Sequence, residues 1–242
     1  MSIPVMRIPW DAKATFKSRP NRFLGIVDIT SPKKDRKKKE KVHIHDPGRL
    51  KELLYPGNEV LLRRTSDLNR KTNWNLIVAL YDKQWVLVHS GFHRDIAEKV
   101  INNRKLSPFG CVKNIRPEPK LGESRLDFLL TTRKKDKIWV EVKGCTLAVD
   151  GVALFPDAPT MRGARHVRHL IEAKENGEDA AILILVFRKD AECFSPNVET
   201  DFDFSKTFLS ALEVGVEFHP LKFLYEDGFV SYIKKIPLCE NI

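Results

Sequence analysis

The sequence predicts an α/β (α+β) protein of two domains, in which a small N-terminal β-barrel precedes an α/β domain built on a mixed sheet. Five short apolar runs rich in β-branched and aromatic residues fill the first 90 residues, and helical and strand-like patterns alternate after them. The 42 Lys and Arg outnumber the 32 Asp and Glu, which gives a formal charge of +10. Residues 1–90 hold 19 basic and 9 acidic residues, whereas residues 91–242 hold 23 of each. We therefore expect a basic barrel over 1–90 and an electrically balanced domain over 91–242.

The first half is predicted to be a closed barrel of the OB type, with an SH3-like barrel as the alternative. Its five predicted strands cover residues 22–30, 41–45, 59–64, 75–82 and 84–90, and turn signals such as Pro-Gly separate them. OB-folds of this size often bind nucleic acids. The loop between the first two strands is a usual binding loop in that fold, and the lysine-rich segment, residues 33–41, falls there.

Basic side chains cluster in this barrel, with Trp74 and Trp85 between them. Basic residues attract phosphates and aromatic rings can stack on bases, so the pattern indicates a nucleic-acid-binding surface. The alternative is a solvated loop that keeps the protein soluble, with both tryptophans in the core. The predicted nucleic-acid-binding residues of this half are Lys33, Lys34, Arg36, Lys37, Lys38, Lys39, Lys41, Arg63, Arg64, Arg70 and Lys71.

The second half alternates predicted helices and strands. Apolar spacing predicts helices over 92–102 and 159–175, and a third through Phe204, Phe208 and Leu212. The predicted strands cover 125–130, 138–143, 180–187, 214–224 and 229–236.

Two carboxylates are predicted to meet in this half. If residues 125–130 and 138–143 pair as a hairpin with its turn centred on Lys134, Asp127 lies opposite Glu141. Directly opposed residues have Cβ atoms about 4.5–5.5 Å apart. Lys143 projects from the same face as Glu141, because alternate residues of a strand share a face.

Paired carboxylates repel unless a cation lies between them, and hard oxygen ligands suit Mg²⁺ or Mn²⁺. We therefore expect a metal site at Asp127 and Glu141, with Glu98 as a third ligand, and catalytic roles for Asp127, Glu141 and Lys143. An exposed cluster of salt bridges is the alternative interpretation of the same pattern. On the following helix, Arg162 and His166 face away from the apolar stripe, and we expect both to contact nucleic acid.

The residues also carry a family resemblance. The strings RLDFLL, VEVKGCTLA and FPDAPTMRGARHVRHLIE, with HIHDPGRLKELLYPGNEVLL in the first half, resemble the sugar fermentation stimulation protein A family. The resemblance spans roughly residues 16–238. It implies a DNA-binding protein with an N-terminal OB-fold and a C-terminal domain similar to PD-(D/E)xK nucleases, whose motif Asp127, Glu141 and Lys143 match. Leu126 stands where some nucleases have proline, and Asp46 to Arg49 differ from the P-N-T/S-G of many bacterial members.

Several classes of protein are disfavoured. The four cysteines form no CxxC pair, so a zinc ribbon is not expected, and we predict free, buried thiols. The longest apolar run, residues 180–187, is too short for a membrane helix, which needs about 20 residues. With no secretory signal visible, a cytoplasmic location is expected.

Three functions remain open on the sequence. The first is a metal-dependent DNA nuclease, and the second is a non-catalytic DNA-binding regulator that keeps the nuclease-like fold. The third is a protein that binds RNA or single strands through the barrel. Without a recognition-helix motif, DNA binding is expected to lack strong sequence specificity.

Overall fold

The computed structural model describes residues 2–67, 69–134 and 136–240. The helices are α1 (His93–Asn102), α2 (Met161–Glu175) and α3 (Phe202–Glu213), with 3₁₀ turns at Lys33–Asp35 and Ser90–Phe92. The strands of the first half are β1 (Ile3–Arg7), β2 (Ala12–Asn21), β3 (Leu24–Ser31), β4 (Lys37–Ile44), β5 (Glu59–Arg64), β6 (Trp74–Tyr81) and β7 (Gln84–Leu87). Those of the second half are β8 (Val112–Pro117), β9 (Lys120–Leu121), β10 (Ser124–Arg125), β11 (Phe128–Thr132), β12 (Lys137–Cys145), β13 (Leu147–Val149), β14 (Val152–Phe155), β15 (Asp179–Val186), β16 (Cys193–Pro196), β17 (Glu217–Glu226) and β18 (Phe229–Lys235).

The first half closes into the predicted five-stranded barrel. Its strands are β2 to β6, paired in the order β4-β3-β2-β5-β6, and a parallel pairing of β4 with β6 closes the ring. Alternate residues of each strand point inward, as Ala12, Ala14 and Phe16 of β2 do.

The predicted barrel strand over residues 84–90 was wrong, and the barrel strand β2 was not predicted. Residues 12–21 form the first barrel strand, whereas β7 leaves the ring and pairs with β6 and β17. Residues 12–21 give a weak strand signal because their inward residues include the small Ala12 and Ala14, and Pro20 lies near the end of the strand.

The lysine-rich segment therefore lies at a different place in the barrel. It joins the second and third barrel strands rather than the first and second, and its later lysines belong to β4 itself. The first connection is the short turn between Asn21 and Leu24.

The second half has the predicted mixed sheet, in the order β18-β17-β15-β12-β11-β8. The central strands β12, β15 and β17 are parallel, and β11 pairs antiparallel with β12. Helix α1 covers one face, and α2 and α3 cover the other. A small separate sheet of β13, β14 and β16 lies beside it, and β9 pairs with β10.

Two apolar cores follow from this arrangement. The first contains the barrel interior, the buried face of α1 and the residues of the second sheet that face α1, such as Val140 and Leu183. The second lies between the opposite face of that sheet and helices α2 and α3, with Trp139 and Ile182 among its members. The first core runs without interruption through both halves of the chain.

Further contacts join the halves. Strand β1 pairs with β18, so residues 3–7 extend the sheet of the second half. The Arg188 guanidinium, fully buried, stacks on the ring of Tyr81 with its Cζ 3.7 Å from the ring centroid. Leu50 N–H donates to Asp157 Oδ2 at 3.1 Å. The division near residue 90 stays a prediction.

The prediction of free cysteines was wrong in part. Cys193 and Cys239 form a disulfide, which holds the C-terminal segment against β16, whereas Cys111 and Cys145 are free thiols. The distance of 46 residues between the two partners gave no motif by which to pair them. No helix among the described residues is long and apolar enough to cross a membrane.

Candidate metal and nucleic-acid site

The predicted hairpin forms with the predicted register. Phe128 pairs with Val140 and Leu129 with Trp139, which continues to a pairing of Asp127 with Glu141. Asp127 lies just before β11, where its Oδ2 accepts the backbone N–H of Val142 at 2.7 Å. That hydrogen bond fixes the Asp127 carboxylate against β12.

Glu141 is the most enclosed of the candidate residues, with 3% of its surface exposed. Its Oε1 accepts Lys143 Nζ at 2.6 Å and also lies 2.6 Å from His166 Nδ1. Its Oε2 is buried and has no hydrogen-bond partner among the residues that the structure describes. Buried carboxylate oxygens normally have a hydrogen-bond donor or a cation as partner, so the site fits a cation that prefers oxygen ligands.

The pKa values of the two carboxylates are shifted in opposite directions. Burial raises the pKa of Asp127 to about 6, and the negative charge of Glu141 adds to the effect. Burial also opposes ionisation of Glu141, but Lys143 and His166 together lower its pKa to about 2. Such a split is common where two carboxylates share a functional site.

His166 belongs to this cluster rather than to a nucleic-acid surface, which corrects the sequence-based expectation. It is 4% exposed, and Arg162 Nε donates to its Nε2 at 3.4 Å. Because an arginine N–H can only donate, Nε2 is the acceptor and Nδ1 carries the proton donated to Glu141. Arg162 itself is exposed, at the first turn of α2.

Thr160 sets where α2 begins. Its side chain accepts the N–H of Gly163 at 3.0 Å, which caps the helix two residues after the predicted start. Asp201, the cap of α3, accepts the Thr160 N–H at 2.7 Å, so both helices are anchored together beside the site.

Glu98 is not brought to the pair. It is exposed on α1, which packs against the face of β12 that carries Val140 and Val142, whereas Glu141 and Lys143 project from the opposite face. Among the described residues, no group of three or more His, Cys, Asp and Glu side chains is arranged to hold a metal. Helical spacing could not reveal which face of the sheet α1 would cover.

A cleft of about 510 Å³ lies between the barrel and the second half, next to the carboxylate pair. Arg22 and Asp46 line it from the barrel, and Lys143 and Arg162 line it from the other side. A neighbouring cavity of about 480 Å³ shares Arg22 and is also lined by Arg49. The basic residues Arg22 and Arg49 were not among those predicted from sequence, because neither belongs to a run of charges.

Gly144 shapes the end of the cleft. A Cβ at this position would lie 2.0 Å from Cε1 of His93, so the imidazole packs directly on the backbone that follows Lys143. Burial lowers the pKa of His93 to about 4, with a further contribution from His45. The requirement for glycine immediately after Lys143 therefore comes from this close approach.

Two of the predicted basic residues of the barrel make side-chain contacts within it. Arg64 donates to Asp35 at 2.6 Å and stacks over Trp74, and Arg70 donates to Asn75 at 2.9 Å. Trp74 is buried in the core. The lysine-rich segment is exposed, as are Arg64 and Lys71, whereas Arg63 and Arg70 are half-buried.

Comparison with known proteins places the chain in a family. A family model described as the SfsA N-terminal OB domain matches residues 18–88, and one described as the sugar fermentation stimulation protein RE domain matches residues 91–228. The chain belongs to the sugar fermentation stimulation protein family. Its N-terminal barrel is the family's OB domain, and its second half is the family's nuclease-like domain.

Relatives in this family match almost the whole chain. A sugar fermentation stimulation protein homolog from Methanococcoides burtonii is 52% identical over 97% of this chain and 95% of its own. A homolog from Sulfurisphaera tokodaii is 43% identical over 93% of this chain and 89% of its own. A solved structure of Pyrococcus furiosus SfsA, described as a complex with Ca²⁺, superposes with a TM-score of 0.88 at 28% identity and covers 98% of this chain and 99% of its own.

Proposed function

We propose that this protein binds DNA and hydrolyses its phosphodiester bonds with the help of a hard divalent cation, Mg²⁺ or Mn²⁺. The observation that carries the proposal is the buried, unpartnered Oε2 of Glu141 beside Asp127, with Lys143 on the same carboxylate. Carboxylate oxygens are suitable ligands for such cations. The Ca²⁺ complex of the Pyrococcus furiosus relative supports the same class of ligand.

When bound, a divalent cation at Asp127 and Glu141 would polarise the phosphate and lower the pKa of a bound water. Lys143 lines the cleft and supplies a positive charge where a phosphate would approach. His166 holds Glu141 in place through Nδ1. The barrel contributes the basic residues that hold the DNA backbone.

A non-catalytic DNA-binding regulator is the second candidate. It is favoured by the observation that only two carboxylates meet at the site within the described part of the chain. Lys143 already forms an ion pair with Glu141, and His166 forms a hydrogen bond to the same oxygen, so the cluster is compatible with a purely structural role as well.

The deciding experiment is a cleavage assay on duplex and single-stranded DNA with Mg²⁺ and with Mn²⁺. We expect the wild type to cleave and Glu141→Gln and Asp127→Ala to lose cleavage while still binding DNA. Glu172→Gln, an exposed glutamate of α2, is the matched control and should cleave normally. Binding without cleavage under either metal, in a folded wild-type protein, would establish the regulator instead.

A further inference from the structure

We propose that Phe23, His43 and His45 form a stacking surface for unpaired bases, from which a single strand of nucleic acid enters the cleft toward Lys143. The inference rests on the proposed function and names the form of its ligand. The sequence-based prediction assigned nucleic-acid contact to basic residues of the barrel and included none of these three rings.

The surface is built by the alternation of β4. Val42 and Ile44 are buried in the barrel, so the residues between and beside them face outward. Lys41 is exposed and His43 half-buried on that outer face, with exposed His45 just after the strand. The outer face of β4 therefore leads from the lysine-rich segment to two imidazole rings.

The rings follow one another in a series in which two contacts are nearly parallel and one is edge-to-face. Phe23, which is 53% exposed, lies nearly parallel to His43, at 18° with 6.5 Å between centroids. The His43 and His45 rings meet edge-to-face, with their planes at 67° and their centroids 5.4 Å apart. His45 in turn stacks on His89 at 4.7 Å and 7°. The series begins at the exposed Phe23 on the barrel and ends at His89, just before the second half of the chain.

Positive charge flanks the rings. Arg22 precedes Phe23 and lines the cleft, and Arg70 is close enough to lower the pKa of both His43 and His45, in addition to the larger effect of burial. Both effects favour the neutral imidazole rings, and the exposed guanidinium of Arg22 is available for a phosphate. Aromatic planes between basic groups are the usual features of single-strand binding.

The surface is continuous with the cleft. Both the N–H and the Oγ of Ser90 donate to the carbonyl oxygen of His45, and Ser90 lines the same cleft as Lys143. A strand stacked on the rings is thereby directed along the cleft to the carboxylate pair.

The rings select for unpaired bases. Bases inside a duplex are covered on both faces by their neighbours, so a side-chain ring can stack only on a base that is free of the helix. The ligand is therefore a single strand, or the unpaired end of a duplex, rather than duplex DNA read through its grooves.

The experiment measures binding separately from cleavage. Fluorescence anisotropy in EDTA compares a labelled 12-nucleotide oligo-dT, an oligo-rU of the same length and a DNA hairpin duplex. Each stacked base is worth about 1–3 kcal/mol, so Phe23→Ala and His43→Ala should weaken single-strand binding about 5- to 150-fold. Duplex affinity should change less than about twofold, since it depends on phosphate contacts.

Two further variants serve as controls for the loss of an exposed aromatic ring and for a folding defect. Phe229→Ala removes an exposed phenylalanine of β18 outside the cleft and should leave single-strand binding unchanged. Phe23→Trp keeps an aromatic plane and should bind at least as tightly as the wild type, which a folding defect would not allow. A loss on DNA, on RNA or on both supports the proposal and identifies the natural strand.

The proposal is overturned if Phe23→Ala and His43→Ala bind single strands like the wild type, or if they lose duplex and single-strand binding equally. Either result leaves the proposed hydrolysis intact, because that is judged by metal-dependent cleavage and by Glu141→Gln. Conversely, a protein that stacks single strands but never cleaves would retain this surface and lose the nuclease assignment.

Discussion

His166 Nδ1 lies 2.6 Å from Oε1 of Glu141, the same oxygen that accepts Lys143. The helix α2 is thereby tied to the strand β12 through a carboxylate that is almost fully buried. This contact makes His166 a positioning residue for the proposed metal site.

Replacing His166 should weaken the site without destroying it. Groups that hold a metal ligand in place typically contribute 10- to 100-fold in metal affinity or activity. We expect His166→Ala to lower Ca²⁺ affinity by about this factor, measured by isothermal titration calorimetry. His169→Ala, on the same helix but without contact to Glu141 among the described hydrogen bonds, is the control. Equal affinities in wild type and His166→Ala would show that the contact does not position Glu141.

Removing the charge of Asp127 should stabilise the metal-free protein, although the proposed function needs that charge. Its pKa of about 6 exceeds the ordinary value of 3.8, so its contribution to the stability of the metal-free protein is complete below about pH 4 and is lost as pH rises through 6. Asp127→Asn should therefore increase the free energy of unfolding in EDTA at pH 7.5 by about 1–3 kcal/mol. Denaturant titration at pH 7.5 and pH 4 measures the difference, which should disappear at the lower pH.

The same carboxyl should make metal binding depend on pH. Below about pH 6 a proton competes with the cation at Asp127, and affinity should fall about tenfold per pH unit. Calorimetry between pH 5 and pH 8 tests this with the wild type. A flat profile over that range would remove Asp127 from the ligands.

The disulfide should contribute strongly to stability. Cys193 and Cys239 are 46 residues apart, and closing a loop of this length in the unfolded chain is worth about 4 kcal/mol. Cys193→Ser should lower the free energy of unfolding by about this amount, and reduction of the wild type should have the same effect. Cys111→Ser, at a half-buried free thiol, serves as the control and should change stability little.

The lysine-rich segment should govern salt dependence rather than sequence preference. Each phosphate contact contributes about −0.9 to the slope of log K against log salt concentration. Removing both charges in Lys33→Gln/Lys34→Gln should reduce the slope for duplex DNA by up to about 1.8, equally for unrelated sequences. Lys105→Gln, an exposed lysine of the second half, should leave the slope unchanged.

The sequence predicted those features that depend on local alternation. The register of the 127/141 hairpin follows from the position of its turn, and the mixed sheet follows from the order of helices and strands. The first barrel strand escaped prediction because Ala12 and Ala14 give a weak apolar signal. Contacts between distant segments, such as His166 with Glu141, leave no trace in local spacing.

Part of the stacking surface is predictable from the sequence. The string KVHIH alternates apolar and polar residues, so His43 and His45 are predictable as outward neighbours on one strand. The position of Glu98 could not, because it depends on which face of the sheet α1 covers.

The apolar core shared by the barrel and by the α1 side of the second sheet has a thermodynamic consequence. Residues of both halves, for example Val60 and Leu183, lose their packing partners if either half unfolds alone. The molecule should unfold in a single calorimetric transition. An isolated barrel would expose the apolar surface that the second half covers, and it should aggregate. The distance between the stacking rings and the carboxylate pair is thus kept constant by the cooperative folding of both halves around one core.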